Sequence, residues 1–358
     1  MSRISISKRR RSTSAVADVL IRIGAIVGAL LFIGIVLAIM GYDPINVYGK
    51  IIQTPFKRFS GVMNYTIMLT TLSLGIAIAF RMKFWNIGAE GQFYMGAFGA
   101  AAVALSMGDL PPIVLLPLMF IAGFICGGIW AIIPALIKAK FQASETLVTL
   151  MMNYIAIAFI SYLQYGPWKD PAALGAAKVP NFSDNAVLPE VFGIHSGWII
   201  MLVLVVIMTI VLKYTKFGYQ VDVIGESETT AKYAGMNTVK IMLIAVIISG
   251  GLCGLAGFMQ ASAVEKSITD SMSAGLGFTA VITAWLAKLK PPVILVASFG
   301  FSILVQSGNS LQLMKIPSSI TEIIQGVIIF FVLASEFFIN YKITWHGKKS
   351  SADAKEAV

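Results

Sequence analysis

The sequence is poor in charge, cysteine and histidine. Only 12% of its 358 residues are Asp, Glu, Lys or Arg, about half the share of a soluble globular domain. Cys126 and Cys253 both lie inside apolar runs, while His195 and His346 stand alone near the ends of such runs. The spacing of these four residues fits neither a disulfide framework nor a zinc site. An ordinary soluble domain and a metal-binding module are therefore not indicated.

Motifs for nucleotide binding and catalysis are also missing. The phosphate-binding pattern Gly-x-x-x-x-Gly-Lys-Ser/Thr is absent, and its nearest approach, residues 225–232, lacks the second glycine. No Ser/His/Asp arrangement, metal-ligand cluster or heme motif occurs. We therefore expect no ATP binding through that motif, no cofactor and no enzymatic activity.

Long apolar runs dominate the sequence instead. Apolar residues make up 57% of the chain and the mean hydropathy is +0.83, and runs close to the ~20 residues that span a bilayer recur throughout. This pattern predicts an all-α polytopic membrane protein of two related halves, some of whose helices could be broken. The ten predicted spans are residues 19–41, 63–80, 87–106, 112–136, 144–164, 197–213, 240–262, 273–287, 291–310 and 320–340.

The distribution of basic residues predicts the orientation. With both termini in the cytoplasm, 20 of the 27 Lys and Arg residues lie on the cytoplasmic side, as the positive-inside rule requires. The net charge of +10 is therefore a topology signal, and no nucleic-acid partner is expected. We predict one membrane domain over residues 1–358: a basic tail at 1–18, a bundle at 19–340 and a second tail at 341–358, with 19–41 retained as the first span.

A polar patch interrupts the apolar pattern at residues 86–92. Asn86, Glu90 and Gln92 stand there beside two glycines, between apolar runs on both sides. A charged side chain at the bilayer centre costs roughly 2.5–3.5 kcal/mol on insertion scales, so such patches face other helices or a water-filled path. The patch indicates a transport site. For Glu90 two readings stay open: a carboxylate satisfied by Asn86, Gln92 or backbone, or a residue that lines or gates the path.

A second interruption lies in the other half of the chain. Gly275 and Gly277 break an apolar run, as the glycines near Glu90 do in the first half. The spans at 87–106 and 273–287 are accordingly the weakest, and either could be broken or re-entrant. Paired interruptions of this kind point to a transporter built from repeats, with its path between them.

The longest cytoplasmic loop, about residues 214–239, has the marks of a short helix. Ser227 is a suitable N-cap, Glu228 suits the first turn, and Gly235 is a suitable stop.

Two segments are predicted on the opposite side of the membrane. Residues 45–59 combine aromatic and basic residues as interfacial segments do, and residues 165–196 form a long proline-containing loop.

Four ordered segments carry a family resemblance. Residues 84–92 (FWNIGAEGQ) with 95–97 are similar to the pattern FNIGAEGQ…GA, and residues 144–156 to NEVITTIMLNYIA. Residues 223–236 resemble VGENPEAARYAGI, and residues 275–287 resemble GxGFxxIAVALLG. These patterns are typical of permease subunits of ABC importers, in the branch that serves simple sugars and nucleosides (the branched-chain amino acid/ribose-type permeases). The resemblance covers about residues 60–340.

The resemblance implies a complex in the cell membrane of a bacterium. A cytoplasmic ABC ATPase would drive transport, a second permease subunit would pair with this one, and an extracellular binding protein, often a lipoprotein, would deliver a nucleoside or sugar-like solute. The implied path or inner gate comprises Asn86, Glu90, Gln92, Asn153, Gly275 and Gly277. The implied ATPase-coupling loop carries Gly225, Glu226, Ala231, Tyr233, Ala234 and Gly235.

The sequence departs from the family pattern at a few places and leaves alternatives. Trp85 stands where the family often has another residue, and Lys288-Leu289-Lys290 replaces a Gly-Arg-Asn type of turn. These departures affect local geometry and bear on substrate choice. An ion-gradient-driven secondary transporter and a membrane scaffold without transport are the competing functions, and for Asn86, Gln92 and Asn153 simple helix capping or interhelical bonding is the competing role.

Overall fold

The computed structural model describes residues 3–8, 15–173, 177–312 and 316–346. It divides into two compact units: residues up to Gln53 together with those from Ser307 onward, and residues Thr54–Gln306. Within the described residues the helices are α1 (Ala15–Ile39), α2 (Pro44–Lys57), α3 (Phe59–Arg81), α4 (Ala89–Ser106), α5 (Pro112–Phe141), α6 (Glu145–Tyr165), α7 (Gly197–Tyr214), α8 (Lys216–Glu226), α9 (Glu228–Tyr233), α10 (Thr238–Met259), α11 (Leu276–Leu286), α12 (Pro291–Gln312) and α13 (Ser318–Asn340). The strands are β1 (Arg3–Lys8), β2 (Glu190–Val191), β3 (Ile194–His195) and β4 (Tyr341–His346).

The fold is helical, and each predicted span falls on a helix. Among the described residues, six helices are long and apolar enough to cross a membrane: Phe59–Arg81, Pro112–Phe141, Glu145–Tyr165, Gly197–Tyr214, Thr238–Glu265 and Pro291–Gln312. The fifth of these is α10 together with the π-helical segment Gln260–Glu265 that continues it. Two of the predicted spans form short helices, α4 with 18 residues and α11 with 11. At 1.5 Å per residue, α11 covers only about half of a bilayer core. The count of ten spans and the cytoplasmic placement of both termini stay predictions.

Helix α10 lies at the centre of the larger unit, packed against α3, α4 and α5. Its glycines permit this close packing. A Cβ on Gly254 would collide with the carbonyl oxygen of Gly123 in α5, and one on Gly257 with that of Phe93 in α4. Small residues let helix backbones approach each other within a membrane. The glycine-rich segment 250–257 is therefore a packing seam, and it holds α4 in place.

The smaller unit adds a short strand pair to the predicted helical fold. Helices α1 and α13 pack against each other, and Ile33, Leu37 and Ile324 are among the buried residues of its core. The predicted tails contribute an antiparallel strand pair, β1 with β4, which aligns Arg3 with His346. The sequences RISISK and YKITWH alternate β-branched or aromatic residues with polar ones, a strand-like period that their basic charge had obscured.

A small hairpin precedes α7 in the loop predicted to be external. Strands β2 and β3 pair in antiparallel fashion through a two-residue turn. The turn residues Phe192 and Gly193 both have positive φ, 59° and 74°, as a type I′ hairpin turn requires. His195 follows the turn and is buried, with 5% of its surface exposed.

Candidate functional site

The predicted polar patch is a non-helical segment followed by the first turn of α4. The chain leaves α3 after Arg81, passes Lys83 with a φ of 56°, and becomes helical again at Ala89. The Asn86 side chain shapes this turn because its Oδ1 accepts a hydrogen bond from the Gly88 N–H at 3.1 Å. Gly88 has little room for a side chain, since a Cβ there would lie 3.0 Å from the Cβ of Thr149.

Asn86 and Gln92 form a buried pair of amides. Asn86 Nδ2 donates to Gln92 Oε1 at 3.0 Å, and Gln92 Nε2 donates back to Asn86 Oδ1 at 2.9 Å. Asn86 Nδ2 also donates to Ser249 Oγ in α10 at 3.0 Å. With the Gly88 N–H included, Asn86 uses all of its donors and acceptors. The pair braces the turn against α10 through Ser249.

Asn153 in α6 completes the brace from another side. Its Oδ1 accepts from the Gly91 N–H at 2.8 Å, and its Nδ2 donates to the Ile87 carbonyl at 2.9 Å. Asn153 therefore satisfies one of the backbone N–H groups that the start of a helix leaves without a partner. Asn153 is only 1% exposed. Its two hydrogen bonds make it a cap on the start of α4, beside the polar patch.

Glu90 joins α4 to α11. One carboxylate oxygen accepts a hydrogen bond from the Ser273 hydroxyl, and the other accepts from the Gly277 N–H at 2.7 Å. Gly277 is the second residue of α11, so the carboxylate lies at the positive end of that helix dipole while also standing in the first turn of α4. The first reading of Glu90 expected Asn86, Gln92 or backbone as its partner. The structure shows the backbone in that place, and Asn86 and Gln92 bond each other.

Gly277 is glycine because Glu90 lies against it. A Cβ at this position would lie 2.5 Å from Glu90 Oε2 and 2.6 Å from the Glu90 backbone nitrogen. Gly275, just before α11, has a φ of +78°, a conformation that side chains disfavour. We call the group Glu90, Ser273, Gly275 and Gly277 the carboxylate clamp.

The carboxylate clamp lies deeper than the predicted span 87–106 implies, since that span would place Glu90 within one turn of the membrane edge. In α11, the Ala280 carbonyl accepts a hydrogen bond from Ser73 Oγ at 3.0 Å, and Ser73 lies about 12 Å before the end of α3 at 1.5 Å per residue. Asn86 likewise reaches Ser249, in the middle of α10. Glu90 is in the first turn of its helix as predicted, but that helix begins well inside the bundle because residues 82–88 turn back alongside α3.

A second polar group was missed by sequence reasoning. Tyr94 donates its hydroxyl to the Asp270 carbonyl at 2.6 Å, and the Asp270 carboxylate accepts from Ser161 Oγ in α6 at 2.5 Å. The Asp270 N–H donates to Gln164 Oε1 at 3.1 Å. Asp270 lies in the non-helical segment before α11, which hydropathy assigned to an outside loop. The acid between two hydroxyl-rich stretches, Ser267–Thr269 and Ser271–Ser273, was the available signal.

The loop predicted to be cytoplasmic contains two helices, α8 and α9. The predicted helix is α9, and its predicted cap is confirmed because Ser227 Oγ accepts from the Thr230 N–H at 3.2 Å. Gly235, with a φ of +75°, follows its end as predicted. Ala231 is buried, whereas Tyr233 is 88% exposed and Ala234 is exposed as well. Helix α9 thus presents a surface containing one large aromatic side chain.

Helix α8 is the part of this loop that contacts the end of α3. Arg81 pairs with Asp222 at 3.3 Å and donates to the Leu212 carbonyl at 3.3 Å. Gly225 packs directly on the Arg81 carbonyl, where a Cβ would collide with the oxygen. Glu226, which is exposed, ends α8. Displacement of α8 therefore acts on the residue that precedes the polar turn.

No three His, Cys, Asp or Glu side chains come together as a metal site within the part of the chain that the structure describes. The polar groups described above are hydrogen-bonded braces between helices, arranged around two helices that begin inside the bundle.

Comparison with known proteins agrees with this arrangement. Residues 58–333 match the family described as "Branched-chain amino acid transport system / permease component". A glucose ABC transporter permease protein of Haloferax volcanii is 29% identical over 89% of this chain and 88% of its own. A nucleoside ABC transporter permease protein of Lactococcus lactis is 28% identical, covering 95% and 96%, and a guanosine ABC transporter permease protein of Bacillus subtilis is 28% identical, covering 91% and 95%.

The matched region contains both interrupted helices, the carboxylate clamp and the α8–α9 loop. The chain therefore belongs to the family of branched-chain amino acid transport system permease components and is a membrane-spanning permease subunit of an ABC transporter.

Proposed function

We propose that this chain forms, as a single permease domain, the translocation path of an importer for a nucleoside or a sugar-like solute. The observation that carries this proposal is the carboxylate clamp: Glu90 fastens two helices, α4 and α11, that both begin inside the bundle. Interrupted helices of this kind line a path rather than face lipid. Relatives named for nucleosides, guanosine and glucose support the solute class.

Within this path, Glu90 acts as a fastening of the inner gate. Glu90 is 3% exposed, and its two carboxylate oxygens accept hydrogen bonds from Ser273 and Gly277. A solute could bind Glu90 only after α11 had moved away. We infer that Glu90 holds α11 in one of two positions and does not bind the solute. Gly275 supplies the backbone freedom that this role needs, and Gly277 permits the close approach of the two helices.

The side of the gate that does not move is the start of α4. It is held in place by Asn86, Gln92 and Asn153. Their hydrogen bonds hold the start of α4 against α10 and α6. Because Asn86 has no free donor or acceptor, direct recognition of solute hydroxyls by this residue is not favoured. The three amides keep the turn rigid while α11 moves.

The coupling loop connects the gate to a motor on another chain. We propose that a cytoplasmic ABC ATPase binds α9 through the exposed surface of Tyr233 and Ala234, with Glu226 at its edge. Gly225, at the Arg81 carbonyl, and buried Ala231 transmit the movement to the end of α3. A second permease subunit and an extracellular binding protein complete the proposed importer, with both termini of this chain in the cytoplasm of a bacterial cell.

The test is uptake by the reconstituted complex. Proteoliposomes containing the permease, its ATPase and its binding protein should accumulate labelled guanosine, uridine or glucose only when ATP is present on the ATPase side. Ionophores that collapse proton and sodium gradients should leave the rate unchanged. Uptake that proceeds without ATP and stops when an ion gradient is removed would contradict the proposal and favour a secondary transporter.

A further inference from the structure

A cavity of about 130 Å³ lies at the end of the bundle that carries Arg81, which is the predicted cytoplasmic end. Four elements form its walls: the turn after α3, the end of α5, the α8–α9 loop and the start of α10. Apolar side chains line its depth, among them Met242 and two residues of the turn, Met82 and Phe84, which are 6% and 1% exposed. This cavity is called here the α9 pocket.

Two lysines of the α9 pocket are paired with carboxylates. Lys138 Nζ lies 2.7 Å from Glu145 Oε1, and Lys232 Nζ lies 2.8 Å from Glu228 Oε1. Lys138 Nζ also lies 5.1 Å from the centroid of the Phe84 ring. Because both lysines already have a partner of opposite charge, the pocket offers no unbalanced charge to an anion. It suits an apolar group that enters between charged residues.

The volume of the α9 pocket fits a single side chain. An apolar cavity of about 150 Å³ holds one benzene molecule, so this pocket takes one ring or one branched aliphatic group and is too small for a nucleoside. Water is a poor occupant of its depth, because methionine and phenylalanine side chains give water few hydrogen-bond partners. Met82 and Met242 are flexible and polarisable, so they adapt to the shape of an inserted apolar group.

The pocket adjoins the surface proposed for the ATPase. Glu228 and Lys232 line the pocket and belong to α9, and Lys232 precedes Tyr233, which is 88% exposed. Helix α9 has six residues and is about 9 Å long at 1.5 Å per residue. A stable interface buries roughly 800 Å² on each partner, more than a helix of this length offers. Interfaces concentrate their affinity in apolar side chains that fill pockets surrounded by polar residues.

We propose that the α9 pocket receives one large apolar side chain of the ABC ATPase when the ATPase binds α9. This inference rests on the proposed ATPase partner and adds a specific contact to it. The inserted side chain, a leucine, methionine or phenylalanine by size, touches α9 on one side and Met82 and Phe84 on the other.

This contact gives the ATPase a direct route to the gate. Met82 and Phe84 belong to the turn that leads from α3 to the polar patch at Asn86. Helix α8 touches the same turn, since a Cβ on Gly225 would lie 3.3 Å from the Met82 Cα. A motor bound only to the exposed Tyr233 acts on this turn through the loop helices, whereas a side chain in the pocket acts on the turn itself.

The first test fills the pocket. The Kd of the purified ATPase for the full-length permease in lipid nanodiscs is measured for the unaltered chain, for Ala139→Leu and for Ala172→Leu. Ala139 lines the pocket, whereas Ala172 is exposed in the loop predicted to be external and is the matched control. Ala139→Leu should raise the Kd about tenfold or more, as expected when an anchoring side chain loses its pocket. Ala172→Leu should leave the Kd unchanged.

The outcomes separate the pocket contact from the proposed function. A Kd that is the same for Ala139→Leu and the unaltered chain would overturn the pocket contact and leave the importer intact. An ATPase that does not bind the unaltered permease, with or without ATP, would instead contradict the proposed function itself.

A second measurement needs no substitution in the pocket and covers the case in which Ala139→Leu fails to fold. The permease is produced with photo-methionine at its natural methionines, assembled with the ATPase and irradiated, and the crosslinked peptides are identified by mass spectrometry. Because Met82 is 6% exposed, its side chain reaches an ATPase peptide only if part of the ATPase enters the pocket.

A crosslink from Met82 or Met242 to an ATPase peptide supports the pocket contact. Met107 is the control, since it is 49% exposed just after α4, in a loop predicted to be external, and should form no crosslink to the ATPase. An intact complex in which neither Met82 nor Met242 is joined to the ATPase overturns the pocket contact.

Discussion

The Gly277 N–H donates a 2.7 Å hydrogen bond to the Glu90 carboxylate, joining the second residue of α11 to the first turn of α4. The two residues are 187 positions apart, and each belongs to one of the two helix interruptions recognised in the sequence. A carboxylate between two helix N-termini is favoured by both dipoles. This one contact therefore accounts for an acid inside the bundle and for a glycine opposite it.

Replacing the carboxylate by its amide should weaken this junction. In Glu90→Gln, one oxygen becomes an NH₂ group that must face the Gly277 N–H or the Ser273 hydroxyl, so one buried donor loses its acceptor. We expect a loss of about 1–3 kcal/mol in stability, measured as a lower thermal midpoint of the purified permease, together with reduced uptake. The matched control is Glu228→Gln, whose carboxylate pairs with Lys232 at an exposed site and should change stability by less than about 1 kcal/mol. Equal midpoints for both variants would contradict the role of Glu90.

Adding one methyl group opposite Glu90 should have a similar effect. Gly277→Ala places a Cβ about 2.5 Å from Glu90 Oε2, so α11 or α4 must shift, at a cost of roughly 1–3 kcal/mol. Gly300→Ala in α12 is the matched control because a Cβ there meets nothing within 4 Å. Alanine favours a helix over glycine, so the control should be neutral or slightly stabilising. A neutral Gly277→Ala would show that the helices approach less closely than described.

The sequence predicted which segments form this site better than it predicted the hydrogen bonds between them. The energetic cost of Glu90 in lipid and the two glycine-interrupted runs identified both halves of the clamp. Ser273 was not predicted as a partner, because serines are frequent in helical membrane segments and pairing depends on how α11 is placed. The depth of Glu90 below the membrane edge was also underestimated. A hydropathy profile assigns depth from position along the sequence, and it does not show that residues 82–88 turn back beside α3.

Local signals in the α8–α9 loop were more reliable. The cap at Ser227 and the stop at Gly235 depend on residues within one turn of each other, so sequence alone locates α9. The contact between Gly225 and Arg81 spans 144 positions and has no local signature. Tertiary contacts of this kind, and the β1–β4 pairing of the two tails, required the structure.

The contact between Gly225 and Arg81 predicts that a larger residue at position 225 uncouples ATP hydrolysis from solute transport. Gly225→Ala places a Cβ against the Arg81 carbonyl and should push α8 away from the end of α3. We expect ATP hydrolysis by the assembled complex to continue while uptake per ATP falls several-fold. Thr229→Ala, an exposed change in α9, serves as the control for altered loop surface. A proportional fall in hydrolysis and uptake would indicate lost assembly rather than lost coupling.

The buried imidazole before α7 predicts that stability falls in acid. Burial lowers the pKa of His195 from 6.5 to about 4, and both ring nitrogens lack a hydrogen-bond partner among the described residues. Between these two pKa values the unfolded chain binds a proton that the folded chain does not, so stability is full above pH 6.5 and decreases as the pH falls toward 4. The loss at pH 5 should be roughly 1–2 kcal/mol. Thermal midpoints measured from pH 7.5 to 5 should fall less in His195→Leu than in the unaltered chain, and parallel curves would show that His195 is protonated without cost.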